Sequence, residues 1–117
     1  MINYHEQLVS TLDSILPTHY ELNLHRGVAT PCISYMELSN REDEVGDTLG
    51  YSSIQYQIKI WGNRLDEIQR YALELDAAMR PLGFKRIACR ELYDKESTMI
   101  QKIFTFEAKA LEEFSQN

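Results

Sequence analysis

Cysteine is scarce in this chain, and the two present, Cys32 and Cys89, lie too far apart for a paired metal motif. Each falls in a strand-like run, so both read as small buried thiols. No apolar leader and no long uncharged stretch is present, so the expectation is a chain kept in a reducing cytoplasm, with no membrane association. Positive charge is also in deficit. A net charge of −6 and a pI near 5.0 argue against a surface that captures nucleic acid by neutralising phosphates. Catalytic signatures are missing too: no G-x-S-x-G, Walker A, G-x-G-x-x-G or H-E-x-x-H occurs. His5, His19 and His25 are never closer than six residues, and none has a ligand neighbour at metal-binding spacing.

What is there begins with residues 51–83, where two hydrophobic periods meet. Ile54, Tyr56, Ile58 and Ile60 take the even positions, with Gln55, Gln57 and Lys59 between them, which is the pattern of a half-buried strand. Its other face would present Tyr51, Gln55, Gln57, Lys59 and Trp61. Gly62 breaks the run, and Asn63 with Asp66 reads as a capping box for a helix starting at about Arg64. Leu65, Ile68, Ala72, Leu75 and Met79 step by three and four along one side of that helix. Pro81 and Gly83 end it close to Arg80.

Before this centre, Asn3 with Glu6 repeats the capping signature, and Leu8, Val9, Leu12, Ile15 and Leu16 predict a helix over about 4–16. Alternation in HYELNLH predicts a strand, and Arg26 to Pro31 a loop. Cys32 to Leu38 is apolar on both parities, as suits a strand inside the sheet. Ser39 to Gly50 loses the pattern and reads as a solvated loop or an extended hairpin tip. After the centre, FKRIACRELYD forms a strand without clean alternation, DKES a turn, and Met99 to Ala108 a last strand with Lys102 as the one charge on its inner parity. The order is helix, strand, strand, strand, helix, strand, strand. It predicts one α+β domain with a mainly antiparallel sheet of about five strands and both helices on one face, sequential strands most simply pairing antiparallel.

Charge is unevenly distributed. Residues 1–50 hold eight acids against Arg26 and Arg41, whereas 51–117 hold ten of each sign. Glu42, Asp43, Glu44 and Asp47 form an acidic stretch without the spacing of a calcium loop, and Lys85, Arg86 and Arg90 form the only basic cluster. Trp61, if exposed, suits an interface anchor. No cofactor is indicated, and no acid, base and nucleophile group together, so an enzyme is the weakest reading. A small ligand-binding or regulatory domain holding a metabolite between Tyr51, Tyr56 and Trp61 is a further alternative.

The run YQIKIWGN, the helix ending in LDAAMRPLGFKR, the strand KIFTFEA and the earlier PCISYME together resemble the tail terminator or tail completion proteins of long-tailed bacteriophages, over nearly the whole chain. That resemblance implies an α+β structural protein of the virion. It would assemble in the host cytoplasm as a ring, commonly a hexamer, at the head-proximal end of the tail. Its partners would be copies of itself, the tail tube protein and the head-neck completion protein. The matching positions, Trp61, Asn63, Gly83 and Phe84, are structural in that family. A head completion or connector protein is the neighbouring alternative. In such a ring the acidic residues Glu42, Asp43, Glu44 and Asp47 are expected to approach Lys85, Arg86 or Arg90 of the adjacent subunit.

Overall fold

The computed structural model describes residues 4–21, 27–44 and 49–113. Its elements are α1 (His5–Asp13), β1 (Thr18–Tyr20), β2 (Cys32–Glu44), β3 (Leu49–Gly62), α2 (Leu65–Met79), β4 (Phe84–Asp94) and β5 (Met99–Glu113), with a 3₁₀ turn at Arg80–Leu82. The five strands form one sheet in the order β1-β2-β3-β5-β4. This is the expected α+β architecture, mixed rather than wholly antiparallel, because β1 runs parallel to β2 with Tyr20 opposite Tyr35. The connection between them, residues 21–31, is long enough to return the chain to the same end of the sheet.

Even-numbered residues of β3 carry the core. Ile54, Tyr56, Ile58 and Ile60 are buried together with Leu8 and Leu12 of α1, Ile68, Leu75 and Met79 of α2, and Phe104 and Phe106 of β5. Both helices therefore cover one face of the sheet. Leu65 departs from its expected place: it is 50% exposed, one residue into α2, before the helix reaches the sheet. Gly62 lets Ile68 come close, since a Cβ there would stand 3.3 Å from the Ile68 side chain.

The capping box predicted at Asn63 does not form: Arg64 occupies the N-cap position of α2 without a side-chain cap bond. At α1 Tyr4 holds the N-cap position, also without a side-chain cap bond, and Asn3 lies outside the described residues. Asp66 works from inside the helix instead. Its carboxyl is held below the usual range first by the Glu67 amide and then by Arg64, whose guanidinium donates to it at 3.2 Å. At the other end the helix stops as anticipated, with Gly83 in the left-handed region at φ 90° and its N–H on the Arg80 carbonyl.

Two bulges explain where alternation fails in the sequence. One lies between Glu37 and Ser39 of β2, leaving Leu38 as the extra residue; the other lies between Arg86 and Ala88 of β4, leaving Ile87. Beyond the first, β2 continues to Glu44 beside β3, so the stretch expected as a loop or hairpin tip is a hairpin arm. The expected strand around Tyr20 is shorter than predicted, and residues 22–25 lie outside the described residues.

Candidate interaction surface

The sheet face turned away from the helices carries the polar residues predicted for it. On β3, Lys59 and Gln57 both meet Glu21, with Lys59 Nζ 2.6 Å from Glu21 Oε1 and Gln57 Nε2 donating to Oε2 at 3.3 Å. Lys59 Nζ also stands 5.5 Å from the centre of the Trp61 ring. Trp61 Nε1 donates to the buried Ser34 Oγ at 2.8 Å, which fixes the indole at the end of the strand. Cys32 is buried beside it, its thiol pushed up by burial. Cys89 is the correction: it is exposed, on β4, the strand at the edge of the sheet.

Trp61, Cys32, Val28, Met99 and Gln101 line a groove of about 870 Å³ between the 27–31 segment and the β4–β5 turn. Asp94 stands at its rim, tied into that turn by Ser97 Oγ at 2.9 Å and the Glu96 amide at 3.1 Å, contacts that hold its carboxyl below the usual range. Tyr56 does not belong to this region. It is 4% exposed in the core under the helices, whereas Trp61 is on the opposite face, so the pair cannot enclose one metabolite. Among the described residues no group of three or more His, Cys, Asp or Glu is placed to hold a metal ion.

The charged residues predicted as an interface occupy two separate flanks. Glu42 is exposed near the tip of the hairpin arm, opposite Ser52, and the backbone of Asp43 and Glu44 continues β2 beyond it; Asp47 lies outside the described residues. Lys85, Arg86 and Arg90 are exposed on β4 at the far edge of the sheet. Opposed residues share a face, so the register divides the basic cluster. Arg86 lies opposite Phe106 on the helix side, while Lys85 and Arg90 lie opposite Glu107 and Ile103 on the other. Arg86 Nη1 is 3.6 Å from Asp76 Oδ1 of α2, and Arg80 is 3.4 Å from the same carboxylate.

The ion pairs not anticipated from sequence include three between separate elements: Lys59–Glu21, Arg86–Asp76 and Lys102–Glu91, the last at 2.8 Å. Only the third left a trace, as the single charge on the inner parity of the last strand. The register explains it, since Lys102 lies between Ile60 and Glu91 on the helix side of the sheet, where its side chain, 15% exposed, meets the carboxylate that Gln69 of α2 also reaches. No family model and no curated protein matches the chain.

Proposed function

We propose that this chain is a structural assembly protein that caps a phage tail tube as an oligomeric ring and offers the joining surface to the head-neck complex. The phage assignment comes from the resemblance of its strand and helix segments. One structural observation supports an assembly role: the sheet is drawn out into a long arm. Beyond Ile54 and Ala108, the last apolar core positions among the described side chains, β2, β3 and β5 continue for four or five residues more, with Ser52 and Ser53 buried at the start of the arm. At about 3.3 Å per residue, this adds roughly 15 Å of sheet. The molecule measures 55 × 24 × 23 Å with a radius of gyration of 16.1 Å, against about 13 Å for a compact domain of this length. A domain that only enclosed a ligand gains nothing from such an arm; a protein whose work is contact gains surface.

In this reading the partners are further copies of the chain, the tail tube protein and the neck protein, and the protein acts through surfaces rather than through bond chemistry. Electron microscopy of tails assembled with and without it tests the proposal. Tubes of uncontrolled length in its absence support termination. Normal tails unable to join heads move the assignment to a connector, and unaltered, infectious particles overturn both.

A further inference from the structure

We infer that copies of this chain join edge to edge, the outer side of β4 in one copy adding antiparallel to the outer side of β2 in the next, so that Arg86 comes beside Glu42. The inference rests on the self-assembly reading above and specifies its interface.

Among the described residues, both flanks of the sheet carry strand backbone with no strand beside its outer side. β4 is the terminal strand of the sheet, eleven residues long with only Phe84 buried, and it exposes Ile87, Leu92 and Tyr93 by 45–59%. At the other flank β1 accompanies β2 only as far as Tyr35, so among the described residues Glu42–Glu44 have β3 as their strand neighbour. Such rows of amide and carbonyl groups are templates for another strand.

Charge decides which strand. Lys85 and Arg86 precede the β4 bulge, and Glu42, Asp43 and Glu44 end β2. Two β4 edges would oppose cations and two β2 edges would oppose carboxylates, whereas β4 on β2 pairs unlike charges. The charges that blunt each edge against itself thus select the head-to-tail contact. Contacts of that kind close rings when the rotation allows.

Direction and facing agree with this choice. β2 is antiparallel to β3, β3 to β5 and β5 to β4, so β2 and β4 run in opposite directions within one copy. A neighbour in the same orientation therefore presents β2 antiparallel to β4 and keeps all helices on one side of the joined sheet. Arg86, opposite Phe106, and Glu42, opposite Ser52, both belong to the helix side. Setting 42 against 86 places 44 against 84 and ends the match at the bulge. A slip of one residue would set Glu42 against Lys85, whose side chain belongs to the other face.

The test uses the full chain with Cys89→Ser, to which Glu42→Cys and Arg86→Cys are added together. Directly opposed residues bring Cβ atoms to about 4.5–5.5 Å, close to the span a disulfide closes with a small adjustment. Mild oxidation is expected to give a ladder of covalent oligomers that a thiol collapses, while Glu42→Cys with Lys85→Cys stays monomeric. Equal or better cross-linking of the Lys85 variant overturns the register. Oligomers by light scattering without any ladder overturn edge pairing and leave self-assembly standing; a monomer at every concentration without a ladder overturns both. Should the cysteine variants misfold, charge exchange serves. Glu42→Arg and Arg86→Glu should each weaken association about fivefold and the double variant should restore it, an exposed pair being worth up to about 1 kcal/mol. A double variant no better than its parents overturns the pairing.

Discussion

Tyr56 shows how a residue in the core sets a pH limit on the whole protein. Its phenol is pushed up to about 12, first by burial and then by Glu37, Tyr35 and Tyr20. In the unfolded chain it would ionise near 10. The folded state therefore holds this proton more tightly, and the stability it contributes is complete below pH 10 and is lost as pH rises through about 12. Tyr56→Phe should flatten the loss of stability above pH 10, measured as denaturant midpoints from pH 8 to 11.5, and remove the latest step of a phenolate absorbance titration. Gly83 carries a different constraint. At φ 90° an L side chain is strained even though a Cβ would meet nothing nearer than the Tyr4 hydroxyl at 3.9 Å. Gly83→Ala should cost about 1 kcal/mol in denaturant unfolding, from backbone strain rather than a clash.

At the scale of elements, α2 shows that spacing identifies a helix face but not the depth of each residue. Leu65 and Ile68 both belong to the apolar series, yet Leu65 is 50% exposed and Ile68 is fully buried over Gly62. Ile68→Ala should cost about 2–5 kcal/mol and Leu65→Ala less than about 0.5 kcal/mol, read from urea midpoints with unchanged slopes. The strands were legible to different degrees for a stated reason. Those with regular alternation, β3 and β5, could be drawn before any coordinates. β4 was drawn over its full span, Phe84–Asp94, but without its facing, and β2 beyond Leu38 was not drawn as strand, because each carries a bulge that switches parity midway. Capping failed as a signal at α2, where the first-turn carboxylate of Asp66 met amide groups that Asn63 was expected to meet.

For the whole molecule, the acidic and basic stretches seen in the sequence stand on opposite flanks of one sheet. Exposed charges of this kind are screened as the Debye length shrinks from about 10 Å at 0.1 M salt to about 3 Å at 1 M. Association should slow and the sizing profile should shift toward monomer over that range, checked by stopped-flow light scattering and a column run at both salts. By itself the sequence determined the α+β class, the apolar faces of β3, β5 and α2, the stop at Gly83 and the net acidity of the first half, because periodicity, special backbone angles and charge are local properties. Only the tertiary structure decided that β1 lies parallel to β2, that Arg86 faces the helices while Lys85 and Arg90 face away, that Tyr56 and Trp61 occupy opposite faces, and that β2, β3 and β5 run on together past Ile54 and Ala108. Each of these depends on register between segments distant in the chain, and register is set by which faces are buried together, a property no single stretch contains.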